Sequence, residues 1–324
     1  MDLVRRTEGL SEATLGRLIR ISGIALVVAL GLFSVFYYLD QRVTAGPSLT
    51  ERQIEAAENA VVQSPNEVNP RLQLAGVYRQ DGRIDDALAQ YDEILKAEPE
   101  HRAALLGQGI LLATMGEDDL AEESLRKITS ASAGGEFAPV DEQLESAQYQ
   151  LGVILLRRGA TDEAIASLRA ALAINRTDAD ALFSLGQALL QRGSGKKAVE
   201  ALSAAVALVP QGWTEPYAAL AQAAESIGRS DEAAYASAMV DVTQNRLPEA
   251  ESRLLTLTGS SVAASAMTGL GMVAEVRGDG DAAQDWYRQA VAKDPRNQTA
   301  SAALARLTQV TLPTGHGTAD EGKG

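Results

Sequence analysis

Five times in this chain a glycine is followed five residues later by an alanine: Gly82/Ala87, Gly116/Ala121, Gly159/Ala164, Gly193/Ala198 and Gly228/Ala233. A sixth pair stands at Gly278/Ala283. The steps between successive glycines are 34, 43, 34, 35 and 50 residues. A recurring step of about 34 residues is the period of a helix–turn–helix unit. One such hairpin cannot bury its apolar stripe, so neighbours must stack into a solenoid. The spacing therefore sets an all-α architecture, and arrays of this kind bind other proteins more often than they catalyse.

The residue types around each pair have mechanical reasons. In the unit at 68–101 the apolar and small positions are Leu74, Ala75, Tyr78, Gly82, Ala87, Tyr91 and Pro99. The unit at 179–212 repeats them as Leu185, Gly186, Leu189, Gly193, Ala198, Leu202, Ala205 and Pro210. The small residue in the middle of the first helix (Ala75, Gly109, Gly152, Gly186) lets the second helix approach closely. The glycine ends the first helix in a left-handed cap without a Cβ penalty. The proline closes the unit because it cannot continue a helix. These positions, in six registered copies over about three quarters of the chain, resemble the tetratricopeptide repeat (TPR) family. The resemblance implies a right-handed α-solenoid of about six repeats across 68–297.

Irregularities mark inserts. The long second step places an excursion at 129–142 (TSASAGGEFAPVDE), and the longest step leaves room for an extra helix at 247–258 with Ala250, Leu254 and Leu257 on one face. Thr50 with Gln53 reads as a capping box opening an N-terminal capping helix at 51–67. A C-terminal capping helix is expected at 298–310, covering the last unit. The Gly- and Thr-rich stretch 311–324 has no apolar period and is expected to be disordered.

The segment from Ile21 to Leu39 is 19 residues without a charge. At about 1.5 Å per residue it is long enough for the hydrocarbon core, and Phe33, Phe36, Tyr37 and Tyr38 crowd one end as an interfacial belt would. Arg5, Arg6, Arg17 and Arg20 precede it, whereas only Arg42 and Arg52 follow nearby. The positive-inside rule then assigns a cytoplasmic segment at 1–20, a transmembrane helix at 21–39, a linker at 40–50 and repeats outside the cytoplasm. A cleaved signal peptide is the competing reading; the length of the apolar run and the poor small-residue context around Val43, Thr44 and Ala45 weigh against it.

The formal charge is −14, from 29 basic and 43 acidic residues. Such a surface repels phosphates, so nucleic acid is not an expected partner. There is no cysteine, hence no disulfide framework or thiolate metal site. Only His101 and His316 represent histidine, too few for a metal cluster or a histidine triad. No catalytic, cofactor or metal residue is expected, and the chain does not read as an enzyme.

In the TPR family the inner surface is lined by first-helix residues lying between the packing positions. By that register the candidate protein-binding face comprises Arg79, Gln80, Ile110, Thr114, Tyr149, Val153, Arg157, Phe183, Gln187, Gln191, Gln222, Glu225 and Met272. Aromatics supply rigid contact area, and glutamines bond an extended backbone in both senses. Tyr149 and Phe183 fit packing between repeats equally well, and Trp213 reads either as an exposed anchor or, in preference, as packing across the repeat junction. The Lys/Asn/Arg clamp with which some relatives hold a C-terminal carboxylate is missing. The expected partners are proteins, as subunits of an envelope complex or as extended peptide segments, on the outer side of a bacterial inner membrane. A chaperone-like accessory to translocation or cytochrome c maturation, and a cytosol-facing regulator, are the alternatives.

Overall fold

The computed structural model describes residues 12–44, 48–131 and 138–310. Residues 1–11 of the expected cytoplasmic segment, 45–47 of the linker, 132–137 of the insert and the expected disordered stretch 311–324 lie outside the described residues. The chain divides into two compact units, one ending at Gln90 and one starting at Tyr91.

The first unit opens with α1 (Glu12–Thr44). Its stretch Gly16–Tyr38 has a mean hydropathy of 2.3, and none of it is buried. The helix thus runs past both ends of the expected 21–39 span and takes in Arg17 and Arg20. It is followed by α2 (Leu49–Gln63) and α3 (Val68–Gln80). The cap of α2 differs from the expected Thr50/Gln53 box. Ser48 is the capping residue: its Oγ accepts from Glu51 N at 3.1 Å, while Ser48 N donates to the Glu51 carboxylate at 2.6 Å. Ser48 precedes Thr50 by two residues and has a carboxylate three positions on, so it satisfies two helix-end donors at once. Tyr78 of α3 donates to Glu58 of α2 at 2.8 Å, and the Arg83 guanidinium sits 4.2 Å above the Tyr78 ring. The boundary between the units falls within α4 (Ile84–Ala97).

The second unit continues with α5 (Arg102–Met115), α6 (Asp118–Ala131), α7 (Glu142–Arg157), α8 (Thr161–Ile174), α9 (Ala179–Gln191) and α10 (Gly195–Leu208). It is completed by α11 (Thr214–Ser226), α12 (Ser230–Thr243), α13 (Leu247–Thr256), α14 (Ala263–Val276), α15 (Gly280–Lys293) and α16 (Gln298–Val310). Of the insert expected at 129–142, residues 129–131 are the end of α6, Ala138–Val140 form a 3-10 turn, Asp141 caps α7 and Glu142 opens it.

The mid-helix small residues do what close packing requires. A Cβ on Gly186 would lie 2.4 Å from Leu202 of α10, and one on Gly152 would lie 2.6 Å from Leu168 of α8. Leu168 and Leu202 are fully buried. Ion pairs then tie the α5–α6 hairpin to the α7–α8 hairpin. Arg157 and Arg158, at the end of α7, reach back to Asp118, Asp119 and Glu122 at the start of α6, and Arg126 of α6 reaches Glu163 of α8 at 2.9 Å. These arginines are partly exposed, so each pair contributes little energy and mainly fixes register.

The array changes phase at α12. Up to α11 the first helices of successive repeats lie side by side, α5 with α7, α7 with α9 and α9 with α11; beyond it α14 lies beside α12. The turn after α12 is built like the ends of the first helices. Arg246 N donates to Asp241 O at 2.8 Å, as Ser194 N donates to Leu189 O after α9 and Asp279 N to Ala274 O after α14. Asn245, with φ 60°, holds the left-handed position that glycine holds in the other turns, and Ala250 follows it five residues later. Helix α12 is therefore the second helix of one hairpin and the first helix of the next, with α13 as its partner. The sequence reading of α13 as a surplus helix is refined accordingly: it closes an overlapping repeat.

Candidate functional site

Helices α7, α9 and α11 present their free faces to a shallow groove of about 520 Å³. Five of the thirteen residues expected on the inner face meet there: Val153, Arg157, Gln187, Gln191 and Gln222. Leu156, Ser184, Leu190 and Ala219 complete the wall. The groove exists because small or apolar residues on the opposite side of each helix are spent on packing, Gly152 and Gly186 against the second helices and Ala147, Ala181 and Ala223 fully buried. What remains at 3.6-residue spacing faces outward.

The side chains in the groove divide into tethered and free. The Arg157 guanidinium donates to Asp118 and, at 3.3 Å, to the carbonyl of Ala113, so it caps α5 more than it awaits a ligand. Gln191 Oε1 accepts from Thr161 at 3.3 Å. Gln187 and Gln222 are exposed. Each carries two N–H donors and an acceptor that can pair with a peptide backbone, beside the aliphatic Val153 and Leu190.

The remaining candidates sit elsewhere. Phe183 is half-buried, with its ring edge-on to Trp213 at 5.2 Å, so both aromatics serve the repeat junction. Tyr149 is half-buried in the same core and hydrogen-bonded to Ser184; burial first, then nearby Asp180, raises its phenol above the usual range. Thr114 turns back onto the carbonyl of Ile110 at 2.9 Å. Ile110 and Glu225 are not among the groove residues, and Arg79 and Gln80 belong to the first unit. Met272 is 2% exposed. Its place in the repeat register is that of an inner residue, but α14 follows the phase change at α12, and Met272 lines a different cavity, shared with Tyr217 and Leu220 of α11.

One residue with a structural task escaped the sequence reading. His101, given no role by the sequence, caps α5: its Nδ1 accepts from Ala104 N at 3.2 Å.

No curated protein matches the chain. Among solved structures, a crystal structure of the MamA protein is 26% identical, with 56% of this chain and 94% of that one covered and a TM-score of 0.48. The APC/C hetero-tetramer Cut9–Hcn1 is 18% identical over 80% of this chain and 46% of that one, with a TM-score of 0.46. YrrB, described as a TPR protein with an unusual peptide-binding site, is 18% identical over 77% and 98%, with a TM-score of 0.41. The tetratricopeptide repeat family model matches residues 72–136, 149–212 and 235–298, more than half of the chain. Its third match begins inside α12, as the overlapping repeat requires. The chain belongs to the tetratricopeptide repeat family.

Proposed function

We propose that this protein is a membrane-tethered TPR adaptor whose α7–α9–α11 groove holds extended segments of partner proteins on the outer side of a bacterial inner membrane. The observation that carries the reading is the pairing of two untethered amides, Gln187 and Gln222, with the aliphatic Val153 and Leu190 along one groove. Such a surface bonds backbone amides without demanding a particular sequence. The unburied apolar stretch Gly16–Tyr38 supports the tether, and the arginines at and before its N-terminal end support the orientation.

The test is a crosslinking pull-down of the full chain from its native membrane, with the double variant Gln187→Ala/Gln222→Ala beside it. Recovery of a few stoichiometric partners, falling at least tenfold in the variant while the circular dichroism is unchanged, is the expected result. Unchanged recovery removes the groove from the reading. A broad, substoichiometric set of exported proteins converts the adaptor into a chaperone. A reporter fused after Gly324 that is active only in the cytoplasm reverses the orientation.

A further inference from the structure

The phase change at α12 creates a second concave surface. Helices α12, α14 and α16 are the first helices of the last repeats, and their free faces point to the side on which α10, a second helix of the earlier array, ends. Between them lies a cavity of about 350 Å³. It continues along α16 past Ala207, Pro210 and Met272. We propose that this is a second peptide-binding groove, separate from the α7–α9–α11 groove, and that it takes an extended, uncharged segment bearing one aliphatic or aromatic anchor.

The chemistry of the walls selects that occupant. The floor is apolar: Val206 and Leu220 are buried, Met272 is 2% exposed, and Tyr217 is locked by a hydrogen bond from its hydroxyl to the Pro210 carbonyl at 3.0 Å. The acidic groups at the rim are already matched, whereas the Arg296 side chain is 94% exposed. Glu275 is held by Arg306 and by the Tyr287 hydroxyl, both at 2.5 Å, Glu232 by Arg229 at 3.0 Å, and Asp294 lies beside Arg296 at 3.6 Å. Ser203, Ser265, Gln298 and Thr299, outside these pairs, are uncharged donors and acceptors suited to a peptide backbone. A basic segment would have to surrender its hydration without gaining a free carboxylate, which costs more than any single amide contact returns. A phosphorylated or acidic segment also meets a chain of charge −14.

The test uses the full chain in lipid nanodiscs at physiological ionic strength. The probe is a capped, fluorescein-labelled ten-residue peptide of Gly, Ser and Gln with a central benzoylphenylalanine, followed by fluorescence anisotropy and by photocrosslink mapping. Saturable binding is expected, with crosslinks to α10, α14 or α16. Ala207→Trp, which puts a ring where the two parts of the cavity meet, should weaken binding at least tenfold, and Gln298→Ala should weaken it less. Unlabelled competitors with two Glu or two Lys flanking the anchor should displace the probe at least tenfold less well than the neutral peptide. Absence of saturable binding overturns the proposal, as does equal displacement by the charged competitors. Crosslinks confined to α7 and α9, or loss of binding in Gln187→Ala/Gln222→Ala with Ala207→Trp unaffected, also overturn it while leaving the first groove standing. Ala207 is exposed on α10; if its variant loses helicity, the crosslink map and the competitors decide alone.

Discussion

At the scale of the residue, the same amino acid has opposite consequences in different places. Gly186 sits where a Cβ would meet Leu202 at 2.4 Å, whereas Gly76, inside α3, has nothing within 4 Å of its Cβ position. Gly186→Ala must push aside a fully buried leucine and should cost about 1–3 kcal/mol. Gly76→Ala relieves the backbone entropy of a mid-helix glycine and should stabilise by about 0.5–1 kcal/mol. Chemical denaturation of the two variants should give shifts of opposite sign. Glu145, on the first turn of α7, is a second case. Burial, then the adjacent Asp178 carboxylate, push its carboxyl up to about 7. Glu142 adds to the push and Ser146 opposes it. Because the folded state holds the proton more tightly than the unfolded one, stability contributed here is complete below about pH 4.5 and is lost as pH rises through 7. Glu145→Gln should therefore raise the melting temperature at pH 8, by about 1 kcal/mol of stability after screening, and change it little at pH 4. Equal effects at both pH values would mean that the carboxyl is not strained. No sequence pattern announced this pair: the two acids lie 33 positions apart and meet only because α7 and α9 stack.

At the scale of the element, the hairpins were legible because each glycine–alanine step records a turn and a close helix approach. The seventh turn was not, since it is marked by Asn245 followed by Ala250. Asparagine reaches the left-handed region at small cost, so a search on glycine alone passes over it and leaves α13 looking surplus. Asn245→Gly should be nearly neutral, within about 0.5 kcal/mol, while Asn245→Val should destabilise by about 1–2 kcal/mol; thermal melts of both variants check this. The same hairpin is latched by Asp241, 3% exposed, which accepts from Arg246 Nε at 2.8 Å and lies 2.8 Å from Arg253 of α13. Two partly exposed arginines on a buried acid also tie the α12–α13 corner. On α7, α9 and α11, five of the eight residues expected on the inner face share a groove, and Tyr149, Phe183 and Glu225 do not line it. The inner-face register did not carry to α14, because the register tells which face of a helix is free and says nothing of which side of the stack that face joins.

At the scale of the whole chain, α1 decides where the repeats work. A membrane anchor and a cleaved leader both place an apolar helix near the N-terminus, where α1 lies. Mass spectrometry of the protein isolated from its cells should find the N-terminal residues through α1 intact, and carbonate washing should leave the protein with the membrane. A mature N-terminus beyond Thr44 would make α1 a leader and the repeats a free protein.

Helix α12 also bears on how the second unit comes apart. In an ordinary repeat array each hairpin can fray and reseal at the cost of one interface, so stability is close to a sum over neighbours. Here two adjoining hairpins own one helix in common, and neither can open without dismantling the other. The stretch from α11 to α13 should thus behave as one cooperative block in hydrogen exchange, with both grooves losing their walls in the same event.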